Sequence, residues 1–296
     1  MTTVERSGFV AVVGRPNVGK STLINRLVGQ KVSITTPRPQ TTRHRVLGIV
    51  QHAASQLVFI DTPGIHRRAP RALNRALNRT ALAAIDEADV ILWVCEAARH
   101  TDDDERVFEA LAKAHAPIVV VLNKVDLLPT KEALLPRMAA LGERRDFDAI
   151  VPLSARRDGH FDGLLDVLAA AMPTGPALFA EDAVTDRSIR FLAAELIREK
   201  LTLRLNEEIP YGSTVIIDDW RSTDGRTDIA ASIVVEKNSH KPIVIGAGGA
   251  RLKEIGSAAR RSIEALVDGP VNLQLWVRVR DNWADSEAEL NRLGFD

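Results

Sequence analysis

The chain has few of the features that mark disulfide-rich, strongly charged or membrane-spanning proteins. It contains one cysteine, Cys95, so a disulfide framework is excluded and the thiol is expected to be a small buried apolar group. Basic and acidic side chains number 39 each, so any surface that attracts a polyanion must be local. No apolar run is long enough to span a bilayer. Residues 1–6 lack the pattern of a signal peptide, and we expect a cytoplasmic protein.

What the chain does have is a glycine-rich loop between an apolar run at residues 9–13 and a helical pattern that starts near Thr22. The loop reads Gly14-Arg15-Pro16-Asn17-Val18-Gly19-Lys20-Ser21. Strand, glycine loop, Lys-Ser and helix together are the context of a phosphate-binding P-loop. Loop amides and the helix N-terminus would hold phosphate, Lys20 would reach the β- and γ-phosphates, and Ser21 would ligate Mg²⁺. A glycine turn without a ligand is the alternative.

Two further segments carry groups that a P-loop needs around the γ-phosphate. Residues 31–45 are polar and contain two prolines, which predicts a loop; its threonines can supply an Mg²⁺ ligand, or the loop is merely a solvated connection. A predicted strand then ends in Asp61-Thr62-Pro63-Gly64. Asp61 can hold Mg²⁺ through water, and the Gly64 amide can contact the γ-phosphate and move away after its loss. A plain Pro-Gly turn is the alternative.

Apolar strands that alternate with helices predict a doubly wound, mostly parallel α/β sheet, whose ligands bind at the carboxyl ends of the strands. Asn123-Lys124-Val125-Asp126 follows one such strand and Ser154-Ala155 follows the next. Asp126 can accept two N–H donors from guanine, a pair that adenine does not offer, which favours GTP over ATP. Asn123 can orient the loop and contact N7, Lys124 can lie along the base, and the Ala155 amide can donate to the guanine O6.

The second half of the chain has a different pattern, after a proline- and glycine-containing segment at residues 172–176 and a predicted linker over 177–186. A helix at 188–205 and strands at 214–217 and 228–235 precede Gly246-Ala247-Gly248-Gly249, which heads a helix; a last strand covers 271–279. A Gly-x-x-Gly loop there lets a single-stranded nucleic acid backbone approach the amides, as in an α+β KH domain of type II. Nearby cations include Arg251 and Lys253. A tight turn with a solvated basic face is the alternative.

The chain resembles the Era family of GTPases over nearly its whole length. The resemblance rests on the motifs above in their order, and on segments outside them, Gln40-Thr41-Thr42-Arg43, Arg198-Glu199-Lys200 and Leu275-Trp276-Val277. It implies a GTPase domain at 1–176 and a KH domain at 187–296. It implies Mg²⁺ ligands Ser21 and Thr42, with Asp61 acting through water, and an RNA loop at Gly246–Gly249 with Arg251 and Lys253.

The same resemblance implies a function. Era-family proteins are monomeric GTP- and GDP-binding switches that bind 16S rRNA near its 3′ end, assist assembly of the small (30S) subunit and associate peripherally with the membrane. The catalytic residues would be Lys20, Thr42, Gly64 and Asn17. Ile65 stands where many small GTPases carry glutamine, so slow hydrolysis is expected. Asn17 is the residue that helps bind K⁺ in similar GTPases; a local cap of the loop is the alternative. An RNA-binding scaffold that senses nucleotide without turnover is the alternative.

Overall fold

The computed structural model describes residues 4–64, 71–157, 161–205, 209–223 and 225–294. These residues form two compact units. The first comprises the described parts of 1–33, 42–70 and 74–186, and the second those of 34–41, 71–73 and 187–296. Residues 34–41 and 71–73, which the predicted boundary places in the GTPase domain, are therefore grouped with the second unit. No helix in the described ranges is long and apolar enough to cross a membrane.

The first unit alternates strands and helices along the chain. The strands are β1 (Arg6–Val13), β2 (Val46–His52), β3 (Ser55–Asp61), β4 (Val90–Glu96), β5 (Ile118–Asn123) and β6 (Ala149–Pro152). The helices are α1 (Lys20–Val28), α2 (Ala72–Asp86), α3 (Asp102–Leu111), α4 (Leu134–Gly142) and α5 (Asp162–Ala171). The strands form one sheet in the order β2-β3-β1-β4-β5-β6, parallel except for β2.

Apolar runs form these strands because the sheet is buried on both faces. Val10 to Val13 are at most 1% exposed, and so are Val90 to Cys95. Trp93 is fully buried in one face of the sheet, where α2, α3 and α4 complete the core. Parallel strands that start at the same edge also end at the same edge, which brings the loops after β1, β3, β5 and β6 together.

The second unit is built on a smaller sheet. Its elements are α6 (Ile189–Arg204), β7 (Ser213–Thr223), β8 (Arg226–Val235), α7 (His240–Ile245), α8 (Ala250–Val267), β9 (Val271–Val279) and α9 (Glu287–Arg292). The order is β7-β8-β9, with β8 antiparallel to β7 and parallel to β9. Side chains of α6 and α8 pack with one face of this sheet into a separate core. The predicted fold class is confirmed by this pair of sheets.

Some elements differ from their predicted bounds for physical reasons. β7 continues to Thr223, beyond the predicted end at residue 217. The pairing register shifts between Ile217 and Asp219, and the extra residue there ends the apolar pattern from which the strand was predicted. Short helices α4, α7 and α9 were not predicted, since runs of six to nine residues show little period.

Candidate nucleotide site and nucleic-acid loop

The P-loop of the first unit is shaped by glycine and held from inside by lysine. Gly19 has a φ of 106° and precedes α1 directly; a Cβ there would collide with the side-chain amide of Asn123. Lys20 is buried, and its Nζ donates to the Gly14 carbonyl at 2.9 Å and to the Arg15 carbonyl at 3.2 Å. The ammonium group therefore sits at the inner side of the loop, where a bound phosphate would meet it.

Three oxygen-bearing side chains from separate segments meet beside this loop. Ser21 Oγ lies 2.8 Å from Thr42 Oγ1, which donates to Asp61 Oδ2 at 3.3 Å. Asp61 Oδ1 is buried and has no hydrogen-bond partner among the described residues. A buried carboxylate oxygen with spare acceptor capacity, next to two hydroxyl groups, fits a hard cation such as Mg²⁺.

The charges of this cluster depend on what is bound. Burial lowers the pKa of Lys20 to about 8; the Asp61 charge opposes this and the Arg15 charge adds to it. Burial raises the pKa of Asp61 above its usual range, while the nearby hydroxyl groups of Ser21, Ser33 and Thr42 and the Lys20 charge act the other way. Both shifts mark a dry, polar position in which phosphate and a divalent cation would restore the ionised forms.

The predicted base-reading loop is hydrogen-bonded to the P-loop. Asn123 donates from Nδ2 to the Val18 carbonyl at 2.7 Å, and Lys124 donates from Nζ to the Asn17 carbonyl at 2.7 Å. Ser154 Oγ donates to Asp126 Oδ1 at 2.6 Å, and this hydrogen bond is the main reason that the pKa of Asp126 lies below its usual range. The Asp126 carboxylate is thus ionised and oriented before a base arrives.

Two residues predicted at the nucleotide make contacts within the protein. The Ala155 amide, predicted to donate to guanine O6, donates to Asn123 Oδ1 at 2.8 Å in this structure. That oxygen also accepts the Lys124 amide, so Asn123 acts as the link between the P-loop and the two base-side loops. Thr62, expected at the nucleotide, is buried and donates from Oγ1 to the Val12 carbonyl, which is a structural contact.

Motif reading did not identify Glu96, at the end of β4. Its carboxylate accepts hydrogen bonds from Arg15 Nη2 at 2.6 Å and from Lys124 Nζ. Asp104, fully buried, accepts a second bond from Arg15 Nε at 3.0 Å. Burial raises the pKa of Glu96, but the bonds from Lys124 and Arg15 outweigh it and hold the pKa below its usual range. Glu96 thereby joins the phosphate loop to the base loop.

The remaining predicted positions lie around this centre or outside the described residues. A Cβ on Gly64 would approach Pro16 to 2.9 Å, so the turn at Gly64 lies in close contact with the P-loop. Pro63 is the residue before this contact. Thr22 belongs to the first turn of α1. Ile65 lies outside the described residues, as does Asp224 of the predicted β7–β8 turn.

The glycine loop of the second unit has the backbone that its sequence predicts. Gly246, Gly248 and Gly249 have φ values of 75°, 57° and 81°, and α8 begins at Ala250. A side chain at Gly246 would overlap Arg251, whose Nη1 donates to the Ile243 carbonyl at 2.5 Å. The loop is thus closed against the start of α8, and Ala247 and Gly248 are exposed at its tip.

A groove of about 360 Å³ continues from this loop along α8. It is lined on the helix side by Gly249, Leu252, Lys253, Gly256, Ser257 and Arg260. Leu273 and Leu275 of β9 form its other wall. Small residues on the helix, apolar residues on the strand and cations at the rim suit a strand of unpaired nucleotides.

Comparison with known proteins identifies both domains. Residues 9–124 match the family model described as a 50S ribosome-binding GTPase, and residues 208–284 match the KH domain model. The GTPase Era of Xanthomonas axonopodis pv. citri is 49% identical over 296 residues, which cover 100% of this chain and 99% of that protein. The chain belongs to the Era family of GTPases. Its predicted GTPase activity is thereby confirmed.

Solved Era structures share its fold. An Aquifex aeolicus Era variant bound to GDP and AlF₄⁻ superposes with a TM-score of 0.94 at 37% identity, covering 98% of this chain and 99% of that one. Another Era structure, in complex with MgGDPNP and nucleotides 1506–1542 of 16S ribosomal RNA, has the same TM-score, identity and coverage. Era of Bordetella petrii is 46% identical over 98% of both chains.

Proposed function

We propose that the chain is a GTP-controlled switch that binds 16S rRNA near its 3′ end and assists assembly of the 30S subunit. The observation that carries the switch is the position of Thr42, which lies against both Ser21 and Asp61 although it comes from the polar loop. Loss of the γ-phosphate would remove the group that this threonine and Gly64 are placed to sense. The RNA target is supported by the KH loop and by the solved relative that contains 16S rRNA nucleotides.

Mg²⁺ is the cofactor that this arrangement fits. Ser21 and Thr42 would hold it through their hydroxyl groups, and Asp61 would act through water. When bound, the ion supplies positive charge to the β- and γ-phosphate oxygens. Lys20 adds its ammonium group from the inner side of the loop, and the buried position keeps that charge effective.

The chain is further proposed to act as a monomer that binds GTP and GDP. It is proposed to act in the cytoplasm and to associate peripherally with the cytoplasmic face of the membrane. These points rest on the family resemblance.

RNA affinity should depend on both the nucleotide and the cations of the KH loop. A fragment of the 16S rRNA 3′ end should bind more tightly with a GTP analogue than with GDP. Changing Arg251 and Lys253 to glutamine should weaken binding and lower the salt slope by about 1.4, because each phosphate contact on a single strand contributes about 0.7. Glutamine retains a donor for the Ile243 carbonyl. Filter binding over a salt series measures both quantities.

The matched control is Arg292→Gln, since Arg292 is 76% exposed on α9 and lies outside the groove. This variant should bind like the wild type. Equal affinities with the two nucleotides would contradict the switch, and an unchanged salt slope in the double variant would contradict the RNA site.

K⁺ should accelerate hydrolysis relative to Na⁺ by at least about 10-fold, since one added charge at the transition state replaces an electrostatic donor. Asn17 is proposed to help hold the ion. Its φ of 63° is left-handed, so Asn17→Gly removes the side chain and keeps the backbone that Lys124 contacts. The variant should hydrolyse GTP equally slowly in both salts in a phosphate-release assay. Equal rates in the wild type would contradict the K⁺ site.

A further inference from the structure

The Leu275-Trp276-Val277 segment carries an aromatic side chain that the groove does not use. Leu275 and Val277 point toward the helices and join the core of the second unit. Trp276 alternates to the opposite face of β9 and is 46% exposed. A partner that covered this exposed tryptophan would gain the hydrophobic free energy of burying its ring.

The surroundings of Trp276 form a shallow site. A cavity of about 350 Å³ lies there, lined by Asp218, Ala230, Trp276, Val277 and Arg278, and we call it the Trp276 platform. Ala230 of β8 is small, which leaves room for a flat group beside the indole ring. Ser232, paired with Trp276 across the strands, donates to Asp218 Oδ2 at 2.5 Å and fixes the floor.

The platform carries one exposed arginine beside one carboxylate. Arg278 and Asp218 both line it, while Arg280, just after β9, is paired with Glu289 at 3.0 Å. Arg278 is 58% exposed, and its nearest carboxylate oxygen, on Asp218, is 3.6 Å away. Such an exposed pair is worth little, so the guanidinium can turn to a phosphate at small cost. An indole with an arginine beside it is the combination on which unpaired bases stack.

The platform and the groove share one strand. β9 is an edge strand, with its odd-numbered residues Leu273 and Leu275 in the groove wall and its even-numbered residues on the platform face. The two surfaces therefore lie on opposite faces of the same edge strand.

We propose that the RNA strand held in the groove turns over the edge of β9 and stacks one unpaired base on Trp276, with Arg278 contacting the adjacent phosphate. This inference rests on the proposed RNA binding. It adds a stacking site on the face of the sheet opposite the glycine loop. It also gives the exposed tryptophan of the family segment a binding role.

Oligoribonucleotides of two lengths from the 16S rRNA 3′ end separate this site from the groove. One of about four nucleotides fills a KH groove, and one of about ten extends past it. Trp276→Ala should weaken binding of the longer RNA by ~5- to 150-fold, the effect of losing one stacked base, and leave the shorter one unchanged. The unchanged binding also shows that the variant is folded. Ile189→Ala, at another exposed apolar residue of the unit, should change neither.

Fluorescence provides a second readout. Trp93 and Trp283 are fully buried, so quenching by RNA reports on Trp220 and Trp276. The longer RNA should quench the wild type, the shorter should not, and Trp276→Phe should remove the difference while keeping most of the affinity.

Three results would overturn the platform. They are equal losses for both lengths in Trp276→Ala, no loss for either, and quenching by a protein fraction of the 30S subunit but by neither RNA. A failure of the proposed groove site would be seen separately, because the glutamine variant of Arg251 and Lys253 should weaken the binding of both RNA lengths if the groove binds RNA.

Discussion

Asp126→Asn is expected to exchange the base preference of the nucleotide site from guanine to xanthine. The carboxylate can accept both the N1 and the 2-amino hydrogens of guanine, whereas an asparagine offers one acceptor and one donor. Xanthine presents N1–H and a carbonyl at position 2, which matches that pair. Ser154 can still donate to the retained carbonyl oxygen, so the loop should keep its shape. The ratio of GTP to XTP affinity should change by ~10⁴-fold, because buried polar groups left unpaired penalise the wrong base strongly.

Competition binding with GTP, XTP and ATP measures this exchange. Asp166→Asn is the matched control, since Asp166 is exposed on α5, where its carboxylate contacts His52. It should retain the wild-type preference. If the Asp126 variant still prefers GTP, another group reads the base. If the variant binds none of the nucleotides and its thermal melting temperature falls, the carboxylate stabilises the loop and does not read the base.

The contiguous motifs were predictable because each places its groups within a few residues. The loop at 14–21, the Asp61 turn and the Gly246–Gly249 loop need only local backbone geometry, which glycine and proline signal directly. The continuous apolar runs likewise predicted the strands that are buried on both faces. Ser21 and Asp61 were expected together because the parallel sheet brings strand ends to one edge, whereas Thr42 was assigned to the cluster from the family resemblance.

Contacts between distant segments could not be read in this way. Glu96 sits at the end of an apolar strand with no spacing that relates it to Arg15 or Lys124, so only the register of β4 between β1 and β5 reveals its role. The acceptor of the Ala155 amide depends on the fold in the same manner. A carboxylate that ends a buried strand beside a phosphate loop is the signal that could have drawn attention to Glu96.

Lys20→Met is expected to have the second large effect, a loss of hydrolysis by ~10²-fold or more, the usual cost of removing one preorganised charge at the transition state. Methionine preserves most of the volume of this buried side chain and removes the charge that faces the γ-phosphate. Phosphate release at saturating GTP measures the rate. Lys113→Met, at an exposed position after α3, is the matched control and should hydrolyse GTP normally.

The same variant tests the electrostatics of the loop. Burial lowers the pKa of free Lys20 to about 8, and a bound phosphate must raise it, because the anion favours the charged amine. Below that pKa the lysine is already protonated and GDP affinity should be insensitive to pH. As pH rises through about 8 the free protein loses this proton, so binding must take one up and affinity should fall, approaching about tenfold per pH unit. Calorimetry in two buffers of different ionisation enthalpy should detect proton uptake at about pH 8.5 in the wild type and none from this group in Lys20→Met. Equal uptake in both proteins would place the titrating group elsewhere in the site.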